Sequence, residues 1–144
     1  MSTDRASAPP ALVEALGAVA FEVMGSLTKL AAKHDLSLTQ LRMLGILRDR
    51  RLTISELARA LGLDRSSVSG LVDRTERRGL VRREPNPADA RSVHVTVSPA
   101  GADALALGAA ELAERLTALT DALRPSEADR LTVLLERMIE HRGL

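Results

Sequence analysis

The chain has 144 residues, which is enough for one domain with a buried core. It contains no cysteine, so disulfides and thiolate metal sites are excluded. It has only one aromatic residue, Phe21. The net charge of +1 does not by itself indicate a nucleic-acid partner. However, residues 48–91 carry 11 arginines against 7 acidic residues, while the rest carries 9 basic against 12 acidic residues. This bias favours a phosphate-binding surface in the middle of the chain, although exposed helices in general carry mixed charge.

The first ten residues, MSTDRASAPP, are polar and lack the charged-then-apolar pattern of a signal peptide. No uninterrupted apolar run approaches the roughly 18 residues of a membrane span. We therefore expect a cytoplasmic protein with no membrane partner.

A long helix is predicted from Pro10 to about His34, with leucines and valines along one stripe and Phe21 nearly opposite. A helix that is apolar on more than one face is buried on more than one face. In a chain this small, the second face is expected to pack against another subunit, while plain monomer core is the alternative.

A helix-turn-helix is predicted between residues 53 and 78. Thr53 and Glu56 have the spacing of a capping box, in which each side chain satisfies a free backbone N–H. Gly62 suits a left-handed stop, and Asp64 is placed to cap the next helix. Only three residues separate the two helices, as in a helix-turn-helix connection.

The second helix of this motif, predicted from Arg65 to Arg78, has the features of a DNA-recognition helix. Small hydroxyls near its N-terminal end suit base edges, and arginines further along suit phosphates. Gly70 costs the helix about 1 kcal/mol of stability relative to alanine. Either it allows close approach to DNA, or it is a tolerated surface residue. The candidate DNA contacts here are Arg65, Ser66, Ser67, Ser69, Gly70, Arg74 and Arg77.

Residues 80–84 and 92–97 are predicted to form a two-stranded β-hairpin, the wing. Valines alternate with polar residues in the second strand, as in a half-buried strand. Pro85 and Pro87 in the intervening loop disfavour strand pairing. Arg91 is expected to reach a minor groove or a phosphate, with Asp89 holding its guanidinium. The alternative is a solvated hairpin with an ordinary surface ion pair.

The C-terminal part predicts two more helices. The first follows Ser98 and carries a stripe of leucines; Pro125 is expected to break it, and Ser126 to cap the last helix. The first and last helices would then form a helical dimerisation base.

Catalytic, metal and cofactor chemistry is not indicated. The three histidines, His34, His94 and His141, lack metal-binding spacing, and no glycine-rich phosphate loop is present. No nucleophile, base and orienting group can be assembled from the pattern, so we do not expect an enzyme.

The chain resembles the MarR family of bacterial transcription regulators. The matching segments are Leu36–Gln40, the helix-turn-helix from Ser55 to Val72, Gly79–Arg83, Asp89–Ser92 and Val95–Gly101. The resemblance implies a mainly α fold with a small β wing, that is, a winged helix-turn-helix with a helical dimerisation base. It also implies a homodimer that binds a pseudo-palindromic operator, usually as a repressor. We accordingly assign residues 1–35 and 99–144 to the helical base and residues 36–98 to the DNA-binding region.

The resemblance further implies a small-molecule effector that releases the DNA. Without cysteine the chain is not one of the family's thiol-based oxidant sensors. With one phenylalanine, a cleft between base and DNA-binding region should be aliphatic. His34 and Arg42 are the nearest candidates to meet an acidic group, and the alternative for each is solvent exposure or ordinary helix capping. The alternative function is a protein-interaction module that kept the fold but lost DNA binding. Six retained basic residues argue against it: Arg65, Arg74, Arg77, Arg82, Arg83 and Arg91.

Overall fold

The computed structural model describes residues 8–141 and contains six helices and three strands within them. In chain order these are α1 (Pro10–Lys33), α2 (Leu38–Leu47), β1 (Leu52–Thr53), α3 (Ile54–Leu61), α4 (Arg65–Arg77), β2 (Val81–Pro85), β3 (Val93–Val97), α5 (Pro99–Thr120) and α6 (Pro125–His141). The strands form an antiparallel sheet in the order β1-β3-β2. The predicted mainly α fold with a small β wing is confirmed.

Local signals fix the ends of the two helices of the helix-turn-helix. The Glu56 carboxylate accepts from the backbone N–H of Thr53 (2.8 Å), and the Thr53 hydroxyl accepts from that of Glu56 (3.3 Å). The bond from the Thr53 backbone N–H, and after it the bond that the Thr53 hydroxyl donates to the same carboxylate (2.9 Å), lower the pKa of Glu56. Gly62 ends α3 with φ 70° in the left-handed region, and Asp64 caps α4. The predicted caps are therefore confirmed.

The hydrophobic core lies within the DNA-binding region. Its fully buried apolar side chains come from α2, α3, α4 and the sheet: Met43, Leu44, Leu47, Leu57, Val68, Val72, Val81 and Val95. A buried hydrogen bond from Gln40 to the Thr75 hydroxyl (3.1 Å) joins α2 to α4. The recognition helix is therefore held rigidly against the helix that precedes the motif.

Three element boundaries differ from the prediction. The two-residue strand β1 was not expected; it exists only through its pairing with β3. Strand β2 extends to Pro85, which pairs with Val93, because β2 is an edge strand where a missing N–H is tolerated. Pro125 is the first residue of α6, and Ser126, which was predicted to cap this helix, lies inside it; the Arg124 backbone N–H donates to Glu127 instead (2.9 Å).

The outer helices leave much of their apolar surface uncovered. Helix α6 contains no buried residue, and Phe21 on α1 is 80% exposed. The other exposed large apolar side chains of these two helices are Leu12, Val13, Val19, Met24, Leu131, Val133, Leu134, Leu135, Met138 and Ile139. These side chains are not part of the buried core of the monomer. Exposed apolar surfaces of this kind usually mark a site that packs against another molecule.

Helix α1 is also more apolar than the sequence analysis allowed. An 18-residue window within it reaches a mean hydropathy of 1.5, a value compatible with a membrane span. No uninterrupted apolar run of this length exists, because charges such as Glu14 and Glu22 interrupt it, but the average over the window is high enough to meet the criterion. A single helix of this kind is weak evidence for a membrane, since the core helix of a soluble assembly has the same composition.

Candidate nucleic-acid interface

The recognition helix α4 presents its predicted contact residues away from the core. Val68, Leu71 and Val72 are buried on its inner side. Of the seven candidates, Arg65, Ser66, Ser67, Arg74 and Arg77 are exposed, while Ser69 and Gly70 are half-buried. The helical periodicity therefore separates a packing face from a polar face, as the sequence indicated.

Two of these residues have contacts that the sequence did not reveal. The Ser67 hydroxyl donates to Asp64 (2.6 Å), and its backbone N–H donates to the same carboxylate (2.8 Å). The hydrogen bond from the Ser67 side chain is the main cause of the lowered pKa of Asp64. The guanidinium of Arg74 lies across Gly70, 3.3 Å from where a Cβ would be. Ser67 thus completes the cap of α4. The neighbour that a side chain at position 70 would meet is the end of the Arg74 side chain and not backbone.

Arg83 on strand β2 connects the wing to the recognition helix through ion pairs. Its guanidinium donates to Asp73 (2.5 Å) and to Glu76, and its backbone N–H also donates to Glu76 (3.1 Å). Burial opposes the charged form, but the hydrogen bond to Asp73 and the charge of Glu76 prevail and raise the pKa of Arg83. We had counted Arg83 among the basic residues available to DNA; this was wrong, because two carboxylates on α4 already neutralise it.

Arg82 is engaged in a similar way. Its Nε lies 2.8 Å from Glu84, and the same carboxylate lies 3.3 Å from Arg51. Of the six arginines that argued for DNA binding, four then remain without an acidic partner among residues 8–141: Arg65, Arg74, Arg77 and Arg91.

The tip of the wing is ordered by backbone hydrogen bonds. Asp89 accepts from the backbone N–H of Arg91 (2.9 Å), and Asn86 accepts from that of Ala88 (3.0 Å). The expectation that Asp89 holds the Arg91 guanidinium was wrong, because its carboxylate closes the turn instead. The exposed Arg91 side chain forms no hydrogen bond within the described part of the chain. Together with Arg65 it borders a cleft of about 490 Å³ between the wing and the starts of α3 and α4.

A second site lies between the helical base and the DNA-binding region. A cavity of about 580 Å³ is enclosed by α1, α2 and α5, with Arg78 and Leu80 at its edge. These are the walls that the expected effector cleft required. His34 lines the cavity, but Arg42 does not: it points to the carbonyls of Ala60 and Leu61, both at 3.5 Å, at the end of α3. The proposed role of Arg42 in this cleft is therefore incorrect.

The end of α1 connects this cavity to the recognition helix. His34 Nε2 lies 3.2 Å from Glu111 on α5, and Lys33 donates to the other carboxylate oxygen (2.8 Å). The hydrogen bond from Lys33 is the largest cause of the lowered pKa of Glu111. Arg78, just after α4, donates to the backbone carbonyls of His34 (2.8 Å) and Asp35. Sequence reasoning missed the roles of Arg78 and Glu111, because these contacts join residues far apart in the chain. It also missed Arg48, which lines the cavity.

In the described residues, no three histidine, aspartate or glutamate side chains come together as a metal site. His94 lies on β3, while His34 and His141 lie at the ends of α1 and α6.

Comparisons with known proteins agree with this geometry. The model of the MarR family matches residues 34–92. An uncharacterised HTH-type transcriptional regulator of Bacillus subtilis, YfiV, is 36% identical over 67 residues, which cover 46% of this chain and 42% of the relative. The chain thus matches less than half the length of that protein. The HTH-type transcriptional regulator PecS of Dickeya dadantii is 26% identical over 137 residues, covering 92% and 82% of the two chains.

Wild-type MarR of Escherichia coli in its apo form superposes with a TM-score of 0.72 at 25% identity, covering 92% of this chain and 98% of that one. The similarity thus extends from the helix-turn-helix and wing to the flanking helices. The match of the family model to residues 34–92 and the superposition on MarR show that this chain is similar to the MarR family of winged helix-turn-helix transcription regulators.

Proposed function

We propose that this regulator binds a pseudo-palindromic DNA operator as a homodimer and acts as a repressor. One observation carries the proposal: four arginines without acidic partners lie on the exposed side of α4 and at the wing tip. Residues 36–98 would bind the DNA, while residues 8–35 and 99–141 would form the dimer base; residues 1–7 and 142–144, which the sequence assignment included, lie outside the described residues.

The recognition helix would enter the major groove with its N-terminal half. Ser66, Ser69 and Gly70 would meet base edges, and Arg74 and Arg77 would neutralise phosphates. The Arg65 and Arg91 side chains, which border the cleft between the wing and the starts of α3 and α4, would contact the DNA backbone or the minor groove. Arg83 keeps wing and helix at a fixed angle, so that both can engage one duplex.

Dimerisation would cover the apolar surface that α1 and α6 leave exposed. Two copies related by a two-fold axis would place their recognition helices about 34–36 Å apart, one turn of DNA. This arrangement also accounts for the hydropathy of α1 without a membrane, and we place the protein in the cytoplasm.

We further propose that a small molecule bound between α1, α2 and α5 controls DNA binding. The cavity there has a volume within the usual range for ligand sites. A ligand releases DNA only if it binds more tightly to a dimer whose helix spacing no longer fits the operator. Arg78 joins α4 to the end of α1 at the edge of this cavity and provides a physical link.

Fluorescence anisotropy with a labelled duplex from the gene's own upstream region tests the DNA-binding proposal. We expect tight binding that weakens with salt, discrimination against a scrambled duplex, and a large loss in the double variant Arg74→Ala with Arg77→Ala. The matched control is Arg50→Ala, which removes an exposed arginine outside the interface. Equal, weak binding of all duplexes by folded wild-type protein would favour an interaction module without DNA binding.

A further inference from the structure

The cavity between α1, α2 and α5 has an unusual combination of walls and rim. No phenylalanine, tyrosine or tryptophan lines it, and its walls are mostly aliphatic, formed by glycines, alanines and nine leucines: Leu27, Leu30, Leu36, Leu41, Leu44, Leu80, Leu105, Leu112 and Leu116. Its polar lining residues are His34, Arg48 and Arg78. The interior therefore favours a flexible hydrocarbon, and it offers few partners for hydroxyl or amide groups inside the ligand.

The charges on the rim define the head group that fits. Arg48 and Arg78 are exposed, and neither forms an ion pair with any acid among residues 8–141. The nearby carboxylate of Glu111 is already occupied by Lys33 and His34. The rim thus carries positive charge in excess, and a guanidinium binds a carboxylate through paired, charge-assisted hydrogen bonds.

We infer that this cavity takes an aliphatic monocarboxylate, such as a medium-chain fatty acid, with its carboxylate at Arg78 and Arg48 and its chain among the leucines. This inference rests on the proposed effector function of the cavity and names the chemistry of the ligand. A flat phenolic acid meets no phenylalanine, tyrosine or tryptophan ring to stack on, and the leucine walls offer no hydrogen-bond partner for its hydroxyl.

The position of Arg78 gives this ligand a route to the DNA-binding surface. Without ligand, Arg78 donates to two neutral carbonyls at the end of α1. A carboxylate is the stronger acceptor, because charge-assisted hydrogen bonds are about twice as strong as neutral ones. The bound acid draws Arg78 away from α1 and loosens the contact between α1 and the end of α4.

Isothermal titration of the full chain without DNA tests the ligand class. Octanoate, decanoate and dodecanoate are compared at concentrations where each acid is monomeric, with decanol and salicylate as probes of the head group and the ring. We expect affinity to rise about fourfold per added methylene, or about 0.8 kcal/mol. Decanoate should bind at least tenfold more tightly than either decanol or salicylate.

Variants separate the arginines from the hydrocarbon pocket. Arg78→Gln and Arg48→Gln should each weaken decanoate binding about tenfold, whereas Arg50→Gln, an exposed arginine outside the cavity, should leave it unchanged. Gly45→Leu adds a side chain on the α2 wall, where a Cβ meets nothing within 4 Å, and should weaken decanoate at least tenfold. Thermal melting of each variant verifies that it is folded.

Equal binding of decanoate and decanol, tighter binding of salicylate, or no difference between the two glutamine variants and Arg50→Gln would overturn the inference. The duplex-binding assay on ligand-free protein keeps the two proposals apart. A protein that binds its operator but ignores every aliphatic acid contradicts the ligand class alone. One that binds decanoate but no specific DNA contradicts the proposed function.

Discussion

Replacing Arg91 by alanine tests the wing contact with little risk to the fold. The side chain is exposed and forms no hydrogen bond within residues 8–141, while the turn is closed by backbone groups and by Asp89. Removing it should change the free energy of unfolding by no more than about 0.5 kcal/mol. The loss of one groove or phosphate contact costs about 1–3 kcal/mol of binding, or roughly a 5- to 160-fold rise in Kd.

The assay is anisotropy at several salt concentrations, with the melting temperature measured in parallel. If Arg91 contacts a phosphate, the slope of log K against log salt should fall in magnitude by about 0.9. Arg50→Ala serves as the charge-matched control and should leave Kd and slope unchanged. Asp89→Ala should cause a smaller loss, because it loosens the turn and leaves the guanidinium in place. An Arg91→Ala protein with wild-type affinity at fixed salt would refute the wing contact.

Four further substitutions address the dimer, the recognition helix and the fold. Leu135→Asp, on the uncovered face of α6, should weaken dimerisation and DNA binding together, as seen by sedimentation and anisotropy; a stable dimer would contradict the assigned base. Arg77→Ala should weaken binding to all DNA sequences similarly and reduce the slope of log K against log salt by about 1, whereas a bulky residue at Gly70 should weaken binding to the operator most. The reverse pattern would contradict the division of α4 into base-reading and phosphate-binding residues. Gly101→Ala should lower stability by about 1–3 kcal/mol in chemical denaturation, because its Cβ would lie 2.0 Å from the Leu80 carbonyl oxygen; unchanged stability would contradict this close packing of α5 on the wing.

The parts of the fold that sequence could predict depend on residues close together in the chain. The capping box of Thr53 and Glu56, the left-handed Gly62 and the Asp64 cap are each set by neighbours within three residues. The apolar period of α4 likewise identified its buried face correctly. Such signals locate the helix-turn-helix and its exposed side, because their geometry depends on residues only a few positions apart.

The side-chain partners of the site could not be predicted in the same way. Long arginine side chains select their acceptors from whatever the tertiary structure brings near, as with Arg83 on two α4 carboxylates and Arg42 at the end of α3. The bonds from Arg78 to the end of α1 cross more than 40 residues of sequence. Sequence therefore located the basic region correctly but overestimated how many of its arginines are free.

Selection of duplexes from a random-sequence DNA library tests the central claim most directly. A dimer with the proposed geometry should enrich an inverted repeat whose half-site centres lie about 10–10.5 base pairs apart, the spacing of one helical turn. The variant with Arg74→Ala and Arg77→Ala should enrich nothing under the same conditions. Absence of any enriched motif with folded wild-type protein, or enrichment of a single asymmetric site, would contradict a dimeric, sequence-specific regulator.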